Sequence, residues 1–385
     1  MTVLAPANEA ELAEAVADAA AARSPLEIRG GGTRAALGRP VQAEKTLSTA
    51  GLSGISLYEP GALTLVVKAG TPVAEVEAAL GAQGQMLPFE PMDHRALLGT
   101  EGEPTIGGAV ACGVSGPRRI QAGACRDSML GVRFVNGRGE VIKSGGRVMK
   151  NVTGYDLPKL ICGSYGTLGV ISEISFKVLP KPEAEATLVC DGMDAGGAVE
   201  ALARAMGSPF GITGAAHDGQ AALVRIEGLA GSVTYRTGQL QNLLGAQWRV
   251  LEGTESAGRW RAVRDVTALT GEIGGGGAIW RLSVKPSDGP AAVAAIQKNL
   301  EAEAVYDWAG GLVWLRVPEA GDAGAGIVRA EIAARGGHAT LIRAADPTRA
   351  GVEVFQPEPA PLARIARGLR AKFDPEGILN PGKMG

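Results

Sequence analysis

Apolar and polar residues alternate along much of the first half of the chain, and this pattern predicts strands. Ile174, Phe176 and Val178 are separated by Ser175 and Lys177, which is typical of a strand with one buried face. Glycines precede this run, so the strand is entered through a turn. Comparable runs predict strands at 26–29, 63–68, 129–135 and 140–143, with a hairpin turn at Asn136-Gly137.

Two helices are predicted between these strands from their start signals. Asn8 followed by Glu11 is typical of a capping box, and the apolar spacing behind it predicts a helix to about residue 22. Thr71 as N-cap and Pro72 at the first helical position predict a second helix, to about residue 82.

Beyond Pro180 the pattern changes to short strands that alternate with amphipathic helices. This predicts a second α+β domain, with one antiparallel sheet covered by helices on one face. The strands are predicted at 186–190, 222–226, 248–251, 278–284, 312–317 and 339–342, and the helices at 197–206, 232–244, 290–300 and 327–334. The run Gly274–Gly277 is either a flexible loop or a place where another backbone passes closely.

Composition places the chain among ordinary globular proteins. Its 385 residues are 45% hydrophobic and suggest two domains, and its 38 basic and 40 acidic residues are mixed along the sequence. This charge balance argues against nucleic acid or an acidic membrane surface as a partner. Neither a basic N-terminal region leading into an apolar run nor an apolar segment of membrane-spanning length is found, so we expect a cytoplasmic protein.

Cysteine and histidine spacing argues against a metal site. The cysteines Cys112, Cys125, Cys162 and Cys190 form no CxxC pair, so neither an iron-sulfur cluster nor a disulfide framework is expected. The three histidines, at positions 94, 217 and 338, lack metal-ligand spacing. We expect buried thiols and structural or surface histidines.

Glycine-rich turns are the main candidates for ligand binding. Gly30–Ala35 satisfies the GxGxxA pattern, but Gly38 and Pro40 break the helix that a Rossmann loop requires. A pyrophosphate-binding loop between short strands is the better interpretation, and a plain surface turn is the alternative. Pro104–Gly108 joins two glycines to a small hydroxyl residue, which also suits a phosphate. Ser115–Arg119 adds a hydroxyl and two guanidinium groups.

These motifs resemble a known family. KNVTGYDLPKL, GSYGTLGVI and FDPEGILNPGK are similar to the FAD-binding (PCMH-type) domain of the vanillyl-alcohol oxidase superfamily, and most of all to the smaller flavin subunit of bacterial glycolate oxidase. The resemblance implies an α+β fold with a two-subdomain FAD-binding domain at 1–181 and an α+β, ferredoxin-like cap domain at 182–355. It also implies that residues 356–385 return to the FAD domain.

The resemblance further implies which residues hold the cofactor. In some relatives a histidine or a cysteine binds the flavin covalently, but Thr33 and Glu103 occupy those positions here. Non-covalent FAD is therefore expected. The residues implied as FAD contacts are Gly30, Gly31, Gly32, Thr33, Arg34, Pro88, Thr105, Ile106, Gly107, Gly108, Ser115, Gly116, Arg119, Gly169, Val170 and Ile171.

A catalytic site is harder to identify. Relatives that oxidise D-2-hydroxy acids use histidines, often around a divalent metal, and this chain lacks such a cluster after residue 340. Oxidation of a hydroxy acid needs a base for the hydroxyl proton and a cation for the carboxylate. Tyr155 and Arg281 are the candidates for these roles, and no metal is expected.

The resemblance implies an FAD-binding subunit of a glycolate-oxidising complex that is not active alone. Its partners would be a larger paralogous FAD subunit and an iron-sulfur subunit, its substrate a small 2-hydroxy acid, and any membrane association peripheral and through the complex. Two alternatives stay open. One is a flavin-free assembly subunit of the same complex, and the other is a stand-alone FAD-dependent reductase.

Overall fold

A computed structural model describes residues 2–147, 154–270 and 277–385. The beginning of the KNVTGYDLPKL motif and the glycines 274–276 lie outside the described residues. The predicted α+β class is confirmed. The strands are β1 (Thr2–Leu4), β2 (Leu26–Arg29), β3 (Lys45–Ser48), β4 (Ile55–Glu59), β5 (Thr64–Lys68), β6 (Gln85–Met86), β7 (Met129–Val135), β8 (Val141–Gly145), β9 (Val170–Lys177), β10 (Leu179–Pro180), β11 (Ala184–Asp191), β12 (Ile212–His217), β13 (Ala221–Gly228), β14 (Arg249–Glu252), β15 (Ala278–Ser283), β16 (Glu303–Asp307), β17 (Leu312–Val317) and β18 (His338–Arg343). The α-helices are α1 (Glu9–Ala21), α2 (Val73–Gly81), α3 (Arg95–Leu98), α4 (Ile106–Ala111), α5 (Arg119–Ala122), α6 (Cys125–Ser128), α7 (Leu157–Ile161), α8 (Ala195–Met206), α9 (Ala230–Leu244), α10 (Gly253–Arg264), α11 (Gly289–Gln297), α12 (Ala325–Ala333), α13 (Asp346–Gly351) and α14 (Ala360–Phe373).

A small parallel sheet, in the order β1-β3-β2, begins the chain and packs against α1. The predicted capping box is confirmed, because the Asn8 side chain accepts from the Glu11 N–H at 3.0 Å and Glu11 accepts from the Ala7 N–H at 2.8 Å. Leu12 and Val16 are fully buried on the inner face of α1. This sheet therefore fixes the position of the glycine loop Gly30–Arg34, which follows β2 directly.

A five-stranded antiparallel sheet, in the order β4-β5-β9-β7-β8, forms the centre of the first half. Its alternation is as predicted, since Ile174, Phe176 and Val178 are all fully buried. Two local predictions are wrong. Thr71 does not cap α2, because its hydroxyl bonds the backbone of Lys68 and Gly54 and the cap position is Pro72. The β7–β8 connection is longer than a two-residue turn, since Asn136 N–H donates to Glu140 O.

The last residues of the chain lie along β2. Leu26 N–H donates to Ile378 O at 2.8 Å, and Asn380 N–H donates to Leu26 O at 3.0 Å. The Asn380 side chain accepts from Ile28 N–H and donates to Tyr165 O, both at 2.8 Å. Residues 378–380 thus extend the small parallel sheet next to the glycine loop.

The second half is built on an eight-stranded antiparallel sheet, in the order β14-β11-β13-β12-β16-β17-β15-β18. The helices α8, α9, α11 and α12 cover one face, as predicted. Contrary to the prediction, the opposite face also carries a helix, because Trp260 of α10 packs there on Val189 and Leu223. The rest of that face packs on the first half through Trp314 and Ile342. The sheet is joined at its middle by one paired position, His217 with Tyr306.

Four charged side chains connect the two halves, and all but the half-buried Glu90 are buried. Glu90 and Arg118 of the first half meet Arg225 and Glu227 of β13, and we call these residues the four-charge cluster. Arg225 lies 2.8 Å from Glu90 and 3.4 Å from Glu227, and Arg118 pairs with both acids. Although burial alone would raise the pKa of Glu90, the charges and hydrogen bonds of Arg225 and Arg118 outweigh it and hold the pKa at about 2. Glu90 is therefore ionised near neutral pH.

None of the helices in the described ranges is both long and apolar enough to cross a membrane.

Candidate functional site

A cleft runs across the first half between the small parallel sheet and the five-stranded sheet. It contains most of the residues predicted as FAD contacts. Those that line it are Gly30, Gly31, Gly32, Thr33, Arg34, Thr105, Gly107, Gly108, Gly169 and Ile171. The sequence motifs thus converge in one place although they are far apart along the chain.

The loop Gly30–Arg34 presents unpaired backbone donors to this cleft. Among the hydrogen bonds of the described residues, none is donated by the backbone N–H groups of residues 31–34. Gly31 has no space for a side chain, because a Cβ there would collide with the carbonyl of Glu103. Gly32 adopts φ +80°, which favours glycine, and its surroundings are open. Consecutive free N–H groups without side chains suit the oxygens of a pyrophosphate.

The Thr105–Gly108 turn forms the opposite wall. Thr105 caps the short helix α4, with its hydroxyl accepting from Gly108 N–H at 3.3 Å. Gly107 packs tightly on β5, since its N–H donates to Ala69 O at 2.8 Å and a Cβ would lie 2.6 Å from the Ala69 Cβ. Gly108 is less crowded than Gly107, since a Cβ there would lie 3.2 Å from the Thr105 hydroxyl and 3.6 Å from an Arg34 guanidinium nitrogen. Gly108 therefore faces the ligand space more directly than Gly107 does.

Two buried cations lie in the cleft without a carboxylate partner. Arg34 is 8% exposed and donates to Met92 O at 2.9 Å, and Lys383 is 7% exposed and donates to Ala35 O at 2.8 Å. Neither forms an ion pair within residues 2–147, 154–270 and 277–385. Burial lowers the pKa of both groups, so an anion between them would be stabilised.

Sequence reasoning did not single out several residues of this cleft. Lys383 and Asn380 were implied only as part of a terminal segment near the flavin, and Tyr165 not at all. The available signal was the NPGK run at the end of the chain. Asn380 has φ +45°, a conformation that asparagine tolerates better than most residues.

A second cavity continues from the cleft toward the eight-stranded sheet. Cys112 and Tyr165 line both spaces, so they mark the junction. Ser115 and Arg119, predicted as FAD contacts, line this second cavity instead of the cleft. Ser115 also accepts from Cys125 N–H at 3.0 Å.

Arg281, in β15 of the second half, lines the second cavity. Alternation along β15 turns Trp280 toward the helices and Arg281 toward the first half. Arg281 has no ion pair in the described part of the chain, and burial lowers the pKa of its guanidinium. Burial also raises the pKa of the neighbouring Tyr165 phenol. The cavity therefore combines a desolvated cation with a neutral phenol.

His94 is the histidine that reaches this cavity. It is 5% exposed, and burial together with the nearby Arg34 charge lowers its pKa to about 3. The imidazole is therefore neutral at ordinary pH. His217 is buried in β12 and pairs with Met193 O at 2.9 Å, while His338 is exposed in β18.

Five predicted residues lie outside both spaces. Tyr155 is 88% exposed, so the structure does not bring it to Arg281, and Tyr165 lies there instead. Ile106 and Val170 are fully buried in apolar cores. Pro88 is buried beside Phe89, and its loop reaches the second cavity through Met92 and His94 instead. Gly116 accommodates Glu90, whose carbonyl would lie 2.5 Å from a Cβ.

The geometry fits a dinucleotide with an aromatic ring system at one end. Free backbone donors and two unpaired cations suit a pyrophosphate, and the adjoining cavity provides space for a ring between the two halves. No described group of three or more histidine, cysteine, aspartate or glutamate side chains is placed to hold a metal ion.

Comparisons with known proteins agree with this geometry. A family model described as an FAD binding domain matches residues 2–145. The glycolate oxidase subunit GlcE of Escherichia coli (strain K12) is 38% identical, over 97% of this chain and 96% of that protein. The glycolate oxidase subunit GlcD of Bacillus subtilis (strain 168) is 31% identical, over 49% of this chain and 38% of its own length.

More distant similarities extend the same picture. The mitochondrial D-2-hydroxyglutarate dehydrogenase of Bos taurus is 34% identical over 40% of this chain and 27% of that protein. An alkyldihydroxyacetonephosphate synthase structure superposes with a TM-score of 0.70 at 16% identity, covering 98% of this chain and 75% of that one. At that identity the superposition shows the fold alone.

Proposed function

The chain belongs to the family of the glycolate oxidase subunit GlcE, and on that premise we propose that it is a flavin subunit of a complex that oxidises glycolate to glyoxylate. The observation that carries the proposal is the cleft with free N–H groups at residues 31–34 and the unpaired cations Arg34 and Lys383. This arrangement binds FAD without a covalent bond, since Thr33 cannot form the link that a histidine forms in relatives.

Each wall of the site has a separate task. The Gly30–Arg34 loop and Lys383 hold the pyrophosphate, and Thr105 keeps the facing turn in place. The second cavity holds the ring end of the cofactor and the substrate. Bound FAD supplies a two-electron acceptor for the hydride on the substrate α-carbon. Arg281 and Arg119 attract the carboxylate of a small hydroxy acid.

Among the described residues that line the second cavity, neither His94 nor Tyr165 is an effective base for the hydroxyl proton. His94 has its pKa held at about 3, mainly by burial, and the pKa of the Tyr165 phenol is raised by burial. Neither group takes up a proton efficiently near neutral pH, and a positioned base typically contributes a rate factor on the order of 10² to 10⁴. We therefore propose that turnover depends on partners, namely a larger paralogous FAD subunit and an iron-sulfur subunit. The chain acts in the cytoplasm, with peripheral membrane contact through the complex.

The test of flavin binding starts with the spectrum of the purified chain. We expect a yellow protein whose chromophore is released by boiling. Lys383→Met, which keeps the length of the side chain but removes its charge, lowers the FAD content, whereas Lys372→Met on the exposed face of α14 does not. A colourless protein that FAD does not reconstitute would instead support the flavin-free assembly role.

Anaerobic mixing with glycolate then tests whether turnover depends on the partner subunits. Glycolate added to the FAD-loaded chain alone leaves the flavin band unchanged within seconds, because neither His94 nor Tyr165 is an effective base. With both partner subunits present, the band bleaches. Rapid bleaching of the isolated chain by glycolate would contradict the dependence on partners, and rapid bleaching by a reduced nicotinamide would support a stand-alone reductase.

A further inference from the structure

Three consecutive residues at the end of β16 adopt a left-handed backbone. Trp308, Ala309 and Gly310 have φ values of +52°, +57° and +102°. The first two are not glycine, and such conformations are costly for residues that carry a Cβ. Asp307 holds this turn, since its carboxylate accepts from Trp308 N–H at 2.7 Å. Residues that keep a strained backbone in a well-ordered turn often do so at functional sites.

The Trp308 indole contacts two arginines that line the second cavity. The guanidinium carbon of Arg119 lies 4.5 Å from the ring centre, and that of Arg281 lies 5.4 Å from it. The indole N–H donates to Gly116 O at 3.1 Å, which fixes the orientation of the ring. Trp308 itself is not among the residues that line the cavity, while both arginines are.

Within the described residues, the two arginines have no carboxylate partner for their charges. Neither forms an ion pair with a carboxylate of the described residues. They come from different halves of the molecule, since Arg119 begins α5 and Arg281 lies in β15. Two like charges that face one cavity repel each other unless an anion lies between them, and the aromatic ring reduces that repulsion by attracting both.

We propose that Trp308 is a positioning residue that aligns Arg119 and Arg281 as a two-arginine site for the carboxylate of a small 2-hydroxy or 2-oxo acid. The inference rests on the proposed function in placing that acid beside the flavin. It goes beyond that function by assigning to Trp308 the alignment of the two arginines, which both lie against its ring. Recognition by guanidinium groups alone also makes the affinity insensitive to pH between 6 and 9.

Calorimetric titration of the FAD-loaded chain with oxamate, a carboxylate that the flavin does not oxidise, tests the proposal. Trp308→Leu removes the ring and weakens binding about tenfold, whereas Trp308→Phe keeps an aromatic face and retains most of the affinity. Trp260→Leu is the matched control. That ring also contacts an arginine, with the guanidinium carbon of Arg225 at 4.7 Å, but neither residue lines the second cavity.

A purely structural role for Trp308 predicts a different result. In that case Trp308→Leu and Trp260→Leu both lower the melting temperature, and the oxamate affinity of the folded protein stays unchanged. That outcome would overturn the proposal, as would wild-type protein that carries FAD but binds no oxamate. A wild-type protein that lacks FAD yet binds oxamate would contradict the proposed function and leave the two-arginine site standing.

Discussion

At the scale of single residues, the glycines of the Thr105–Gly108 turn have different tasks. The sequence predicted both Gly107 and Gly108 as phosphate contacts from the pair alone. Gly107 is required by packing, because a Cβ would lie 2.6 Å from the Cβ of Ala69, while Gly108 faces Arg34. A pattern of glycines shows that backbones approach closely, but it does not show whether the neighbour is a ligand or another strand.

Gly108→Asp is therefore the sharper test of the cradle. The new carboxylate lies beside Arg34 and repels a pyrophosphate, so we expect FAD content to fall at least tenfold with little loss of stability. Gly108→Asn, with the same shape and no charge, retains most of the FAD. Absorbance at the flavin band and the melting temperature of the apoprotein separate the two effects. Equal FAD loss in both variants would show that the shape of the new side chain, and not its charge, causes the loss.

Asp307 gives a pH dependence with a defined sign. Burial raises its pKa to about 7 from a usual value of 3.8, so keeping it ionised in the fold is unfavourable. The contribution of Asp307 to the stability of the wild type therefore falls as the pH rises from about 4 to 7, by up to about 4 kcal/mol. Asp307→Asn keeps an oxygen acceptor for Trp308 and removes this slope in urea unfolding, unlike Glu301→Gln on the surface. An unchanged slope would contradict this prediction.

At the scale of elements, strands with clear alternation were predictable, whereas strands with small residues or very short apolar runs were not. The prediction missed β12, whose sequence ITGAAH is half alanine and glycine, and β16, whose sequence EAVYD has an apolar run of only three residues between acidic ones. Both are held by their neighbours in the large sheet, so tertiary pairing decides their conformation. The helix α14 was also missed, and none of its residues is buried.

The segment that follows α14 carries an element-scale prediction. Asn380→Ala removes the partner of Ile28 N–H and of Tyr165 O, and it also places alanine at φ +45°. We expect a loss of about 1–3 kcal/mol in the free energy of unfolding and faster amide exchange at Ile28. Asn242→Ala, on an exposed face of α9, changes neither quantity. Unchanged exchange at Ile28 would show that the segment does not stabilise β2.

At the scale of the whole molecule, the four-charge cluster connects the halves in a way no sequence pattern showed. Glu90 sits in a loop predicted only to approach the flavin, and Arg225 sits in a strand predicted only from its alternation. Arg281 was easier to place, since alternation along β15 fixes the face on which it lies. Pairing between distant segments depends on the docked halves and leaves no local signature.

The cluster predicts acid sensitivity. The depressed pKa of Glu90 means that its contribution to stability is complete above pH 4.5 and is lost as the pH falls toward 2. We expect this contribution to reach about 3 kcal/mol. Glu90→Gln is less stable at pH 7 and shows a flatter acid limb in urea unfolding, while Glu358→Gln, on an exposed loop, matches wild type. Identical acid limbs in Glu90→Gln and wild type would show that Glu90 does not cause the acid sensitivity.

The single paired position between β12 and β16 has a consequence for motion. Among the described residues, the strands of the two four-strand halves pair in register only at His217 and Tyr306, while α8 of one half packs on Ala309 of the other. Opening that seam breaks few backbone hydrogen bonds, so mainly side-chain packing resists bending there. The half on one side holds Arg225 fixed against the first half, and the half on the other carries Trp308 and Arg281. Bending at this seam would shift Trp308 and Arg281 relative to Arg119 and so change the shape of the second cavity.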